Sequence, residues 1–377
     1  MKLINKLFKK LLPHLQIHNI ILFESYTDLS DNSEALFNYL IEHNFNQKYK
    51  LIWLVEEPNK FKHINIPNVT FIQLYPHNFI PFCRMFYYLY RAKFGFFSHR
   101  LPKVKPNHGE TFVNLWHGSG LKKTTHVDMS HNVDYIHCSS DFFKKVRVMN
   151  YGYKEDMIQC LGNPRNDLLL SGDRKYILMT LFGKVYMKYI IWMPTFRKKK
   201  NGILEFSDQD NRFTFIEFCN HHLDDLDALL VSNNTLLIIK PHPMENYELI
   251  TTSNVINIKL LTNMSLADKN IQLYALLGVS DALITDVSSV YIDYLLLDKP
   301  IGFVIDNLEN YQYGYHVDNP TDYMPGNLIK NYPDFKDYIE DVIQERDPYS
   351  QARNEINNLF NEHKNGFSER IVKHYNL

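Results

Sequence analysis

Residues 282–305 read ALITDVSSVYIDYLLLDKPIGFVI. The first four form an apolar run of strand length, broken by a short turn at Asp286, Val287 and Ser288. The spacing then predicts a helix over 289–297 and a second strand over 300–305. Strand, crossover helix and strand in so short a stretch make a βαβ unit, whose two strands run parallel in one sheet. Outward from this unit the same alternation continues through both halves of the chain. It predicts strands over 189–193 and 235–240 and helices over 213–231 and 273–277. The first half carries predicted strands over 19–23, 49–55, 69–74, 94–98 and 111–115, with helices over 33–43 and 82–92. The expected fold class is α/β, with two Rossmann-like domains facing each other across a cleft. The boundary is expected near 165–185, dividing the chain into 1–175 and 176–377, with the last helix a candidate to pack back on the first domain.

The bulk numbers suit this architecture. A chain of 377 residues is long for a single core. With 45% hydrophobic and 22% charged residues it has an ordinary globular composition. Its formal net charge of −1 supplies no general field for nucleic acid, so an anionic ligand has to be held by locally placed groups. Cys83, Cys138, Cys160 and Cys219 show no metal-ligand spacing and read as free thiols of a reducing compartment. No run approaches the roughly 20 apolar residues that span a bilayer. The opening MKLINKLFKKLLPHLQ sets Leu3, Ile4, Leu7, Phe8, Leu11 and Leu12 at helical spacing, with lysines between them. That pattern fits a helix lying on an anionic membrane surface, and equally an amphipathic helix docked on the protein.

Five segments place small, polar or basic residues beside apolar runs or in turns. In VNLWHGSGLKK (113–123) a strand delivers His117 to its carboxyl end, and Gly118 and Gly120 permit a tight turn. Histidine exchanges protons near neutral pH, so His117 is a candidate general base as well as a candidate loop-bonding residue. In LIIKPHP (237–243) His242 is held between two prolines just past a strand. The turn after 282–285 offers Thr285, Asp286, Ser288 and Ser289 at a helix start, ahead of Asp293. Free N–H groups and hydroxyls there suit a diphosphate, while capping of the helix uses the same groups. MPTFRK (193–198) adds Thr195 and Arg197, and GNPRND (162–167) adds Arg165, either as a ligand contact or as part of a domain connector. Neither a P-loop nor a dinucleotide glycine pattern is present, which argues against ATP and NAD.

Taken in order, WHGSGLKK (116–123), GNPRNDLL (162–169), MPTFRK (193–198), KPHP (240–243) and SDALITDVSSVYIDYLLLDKP (280–300) resemble the bacterial CDP-glycerol glycerophosphotransferases of teichoic-acid and capsule synthesis. The resemblance implies a glycosyltransferase-B-like fold, cytoplasmic and peripheral on the inner face of the membrane. It implies transfer of glycerol phosphate from CDP-glycerol to a lipid-linked or polysaccharide acceptor, with release of CMP and no metal or other cofactor. The family's acceptor base falls on His117 and its donor-contacting histidine on His242. Its donor-phosphate residues fall on Thr195, Arg197, Thr285, Asp286, Ser288 and Ser289, with Gly118, Lys122, Arg165 and Asp293 as additional candidates. This chain departs from the family pattern at Ser119-Gly120, at Val287 and at YQYGYH (311–316), which leaves CDP-ribitol or another CDP-polyol open as donor. A nucleotide-sugar glycosyltransferase of the same fold and an inactive donor- or partner-binding member are the remaining alternatives.

Overall fold

The computed structural model describes residues 16–100, 105–106, 109–123, 130–194, 199–200, 203–204, 215–241, 255–305, 308 and 313–377, with backbone only at 199–200, 203–204 and 215–220. The amphipathic stretch 1–15, Thr195, Arg197 and His242 lie outside the described residues.

The chain forms two compact units. The first comprises residues 1–118, 126–167 and 362–377, and the second comprises 119–125 and 168–361. The first sheet is built from β1 (His18–Glu24), β2 (Lys50–Val55), β3 (Val69–Gln73), β4 (Ala92–Phe97), β5 (Thr111–Asn114), β6 (Tyr135–Cys138) and β7 (Ile158–Cys160). Its strands are all parallel, in the order β3-β2-β1-β4-β5-β6-β7. Parallel strands covered on both faces read as continuous apolar runs, as IILF and LIWLV do here. Phe23, Leu51, Trp53, Phe96 and Val113 form the centre of this core, packed under helix α1 (Asp31–Glu42). Helices α2 (Phe79–Arg91) and α3 (Asp141–Tyr151) complete the crossovers.

Helix α1 starts two residues before the expected position. Ser33 is buried in its first turn, and its hydroxyl donates to the Glu24 carbonyl at 2.7 Å, tying the helix to the end of β1.

The second unit opens with α4 (Arg174–Phe182) and β8 (Lys188–Trp192). A small antiparallel ribbon, β9 (Lys199–Lys200) with β10 (Ile203–Leu204), precedes α5 (Phe215–Ser232). There follow β11 (Thr235–Ile239), β12 (Ile258–Leu260), α6 (Asn263–Asp268), α7 (Leu273–Val279), β13 (Ala282–Thr285), α8 (Ser289–Tyr294), β14 (Ile301–Val304) and β15 (Asn327–Ile329). The six-stranded parallel sheet runs β12-β11-β8-β13-β14-β15. Counted from β8 this is the 3-2-1-4-5-6 order of a doubly wound nucleotide-binding sheet. Helices α9 (Tyr332–Ile343) and α10 (Ser350–Phe360) finish the unit.

Helix α11 (Phe367–Tyr375) belongs to the first unit. The Asp167 carboxylate accepts the backbone N–H groups of Phe367 and Ser368 at 3.0 and 2.8 Å, satisfying the start of α11. Ile371 is fully buried, and the Tyr375 hydroxyl meets the ring of His137 on β6 at 2.9 Å.

Candidate active site

In open α/β sheets ligands bind beyond the carboxyl ends of the strands, at the point where strand order reverses. In the first unit that point lies between β1 and β4. The end of β1 carries Glu24, which is fully buried. Its carboxylate accepts the backbone N–H groups of His99 and Arg100 at 3.2 and 2.7 Å, and the Arg100 Nε at 2.7 Å. Burial nevertheless pushes the Glu24 carboxyl above its ordinary range, with the Arg100 bonds opposing. Arg100 also reaches Asp28 and the Ser25 carbonyl, so one guanidinium fixes the loops after β1 and β4.

His99 thereby stands beside His117, with ring centres 4.5 Å apart. His117 itself follows β5. Trp116 before it adopts a left-handed backbone (φ 63°), costly for a bulky residue and held here by specific bonds. The Asn114 Oδ1 accepts the Trp116 N–H at 2.9 Å, and the Asn32 amide donates to the Trp116 carbonyl at 2.9 Å. The Arg165 Nη1 donates to the His117 carbonyl at 3.0 Å and to Asp31 at 2.7 Å. The guanidinium of buried Arg147 lies over the Trp116 ring, which in turn stacks on His117 at 4.7 Å. Gly118, at φ 123°, turns the chain away in a conformation that side chains rarely take.

The His117 ring keeps solvent access, yet protein atoms crowd it. Desolvation first, then His99, Arg147 and Arg165, hold its pKa below the usual imidazole value, with Asp31 opposing. It is thus neutral at pH 7, the state in which it accepts a proton. His99 is lowered in the same direction, chiefly by desolvation.

The motif around His117 divides where the chain passes between units. Ser119 to Lys123 belong to the second unit. There Lys123 N–H donates to the Gly314 carbonyl at 3.0 Å, and His316 N–H to the Leu121 carbonyl at 2.8 Å. The Lys122 ammonium lies 3.5 Å from the Asp286 carboxylate. A side chain on Gly120 would touch Ser289. Ser119–Lys123, the turn after β13 and part of the 311–316 stretch therefore form one patch at the carboxyl edge of the second sheet.

Within that edge Ser288 precedes α8 without capping it through its side chain, and Ser288 and Ser289 are both partly exposed. Thr285 is buried, and its hydroxyl donates to the Met193 carbonyl at 2.8 Å, joining the ends of β8 and β13. Asp293 is buried on α8 and accepts the Tyr274 hydroxyl at 2.7 Å. Lys240, at the end of β11, is almost fully buried, and desolvation holds its ammonium down to about 8.

Reasoning from the sequence missed Glu24, Asn32, His99, Arg100 and Lys240. The signal for His99 was its place after the apolar run FGFF (94–97), the same strand-end logic that found His117.

Comparison with known proteins shows the family of the chain. A family model described as CDP-Glycerol:Poly(glycerophosphate) glycerophosphotransferase matches residues 7–375. The chain belongs to this family. This glycerophosphotransferase is 27% identical to the teichoic acid glycerol-phosphate transferase of Staphylococcus aureus, over 91% of this chain and 89% of that protein. It is 26% identical to the teichoic acid poly(glycerol phosphate) polymerase of Bacillus spizizenii, over 89% and 85%. A solved structure of the wall teichoic acid polymerase TagF soaked with CDPG superposes with a TM-score of 0.75 at 20% identity, over 99% of this chain and 91% of that one. The likeness to TagF bears out the α/β, glycosyltransferase-B-like fold. Among the described residues of the glycerophosphotransferase, no helix is long and apolar enough to cross a membrane.

Proposed function

We propose that this chain transfers glycerol phosphate from CDP-glycerol to a hydroxyl of a lipid-linked cell-surface polymer, as in teichoic-acid synthesis, and releases CMP. Family membership across nearly the whole chain carries this reading. In the reaction the acceptor oxygen attacks the β-phosphorus of the donor. The new O–P bond forms as the bond to the CMP oxygen breaks, and charge is spread over the phosphate oxygens.

His117 takes the proton of the attacking hydroxyl, a role supported by its neutral state at pH 7 and its exposed position. Arg165 and Asn32 act through the loop that carries it. On the donor side, Ser288, Ser289 and the nearby N–H groups hold phosphate oxygens, and Lys122 offsets their charge. His242, Thr195 and Arg197 complete this set, and no metal is invoked. Work at the inner face of the membrane is supported by the amphipathic pattern of residues 1–15.

The test presents the purified enzyme with a synthetic lipid-linked acceptor, CDP-glycerol and CDP-ribitol in competition, and reads products by mass spectrometry. Glycerol phosphate additions with matching CMP release are expected. Ribitol phosphate additions alone, or transfer only from UDP- or CMP-sugars, would overturn the reading.

A further inference from the structure

The carboxyl ends of β6 and β7 hold a cluster that the proposed reaction does not use. Cys138 and Cys160 are the last residues of their strands and register partners in the sheet. Strand pairing therefore brings together two thiols that are 22 residues apart in sequence, with their sulfurs at 3.3 Å. Asp141, the first residue of α3, places its Oδ1 3.8 Å from the Cys160 Sγ. Glu362 joins them where the chain re-enters the first unit. Its N–H donates to the Ser139 carbonyl at 2.8 Å, and the ring nitrogen of His363 meets the Cys160 carbonyl at 3.1 Å. One ligand atom from each of Cys160, Asp141 and Glu362 lies within 4.8 Å of the others.

We propose that Cys138, Cys160, Asp141 and Glu362 bind one thiophilic divalent cation of the zinc class, which fastens the returning C-terminal segment to the edge of the first sheet. Zinc holds sulfur at about 2.3 Å and carboxylate oxygen at about 2.0–2.2 Å, so tetrahedral ligand atoms stand roughly 3.3–3.8 Å apart. Cys160 stands 3.3 Å from the Cys138 sulfur and 3.8 Å from the Asp141 Oδ1, while Cys138 lies outside the set of ligand atoms that are all within 4.8 Å of one another and has to draw in toward the ion. Two sulfurs favour a borderline or soft metal over calcium or magnesium. Cys160, Asp141 and Glu362 are at least partly exposed, which gives an ion entry.

A disulfide is the competing use of the thiol pair. The carboxylates of Asp141 and Glu362 stand beside Cys160. The same carboxylates attract a cation. Binding displaces the thiol protons, two per ion when both cysteines ligate as thiolates, so affinity falls as pH is lowered.

The test uses the full chain with Cys83→Ser and Cys219→Ser, reduced, stripped of metal and titrated with cadmium. A thiolate-to-metal charge-transfer band that saturates at one equivalent is expected. Cys160→Ser should abolish the band and Cys138→Ser should weaken it. Glu362→Gln should lower affinity on the order of tenfold or more. Zinc, but not magnesium, should raise the thermal midpoint of the unsubstituted protein, a readout that needs no variant to fold. No band and no zinc-dependent midpoint shift would overturn the site. So would a band that survives Cys160→Ser, or isolation of the protein with Cys138 and Cys160 already joined.

Discussion

His117 reaches the site through residues that never touch substrate in this account. Arg165→Ala removes the donor to the His117 carbonyl and leaves Asp31 without its guanidinium. The expected outcome is a fall in kcat with donor affinity retained, read by steady-state kinetics beside donor calorimetry; equal losses in both would place Arg165 on the donor instead. The pH profile follows from the lowered pKa of His117. A base that stays neutral below pH 6.5 keeps kcat/KM flat through the usual imidazole range, so the acid limb should appear well below pH 6.5. A limb near pH 6.5 would mean that the ring titrates as a free imidazole. At this scale the sequence exposed His117 through its strand and flanking glycines. It hid the partners, because Asn32 and Arg165 lie 84 and 48 residues from the atoms they hold.

Among the elements, the short turn GNPRND (162–167) has the largest structural part. Arg165 supports the His117 loop, Asp167 caps α11, and Gly162 sits under Phe367 with φ 78°. A Cβ at Gly162 would lie 2.4 Å from the Phe367 ring in a backbone conformation unfavourable to side chains. Gly162→Ala should therefore destabilise the first unit by about 1–3 kcal/mol, measurable by denaturant unfolding. His137, fully buried between β6 and α11, has its pKa lowered to about 3 by desolvation. Below pH 6.5 the unfolded state binds a proton that the folded state refuses, so stability falls from pH 6.5 toward 3. The loss from this residue is on the order of a few kcal/mol, and His137→Gln should flatten that part of the stability profile. The long apolar strands were legible from composition, whereas β6, β7, β12 and β15 were not. They span only three or four residues each, and β6 and β7 include His137 and Gln159, too little for periodicity to show. Helix α9 did leave a signal, with Phe335, Tyr338, Ile339 and Val342 at helical spacing.

At the scale of the whole molecule, the sequence order of strands and helices sufficed for two doubly wound sheets. It offered the last helix as a candidate to pack back on the first domain, but it did not reveal that residues 119–125 fold with the second unit or that the return begins at residue 362. Those crossings are fixed by contacts such as Lys123 with Gly314 and Phe367 with Asp167, which no local pattern announces. They also put the candidate base and Lys122, five residues apart in sequence, on different units. The most direct check compares the unsubstituted enzyme with His117→Ala at saturating CDP-glycerol and lipid-linked acceptor, following glycerol phosphate transfer and CMP release. Efficient transfer is expected for the former, and for His117→Ala a loss of about 10²–10⁴-fold in rate with CDP-glycerol still bound. Undiminished transfer by His117→Ala, or no transfer from CDP-glycerol by the unsubstituted enzyme, would contradict that expectation.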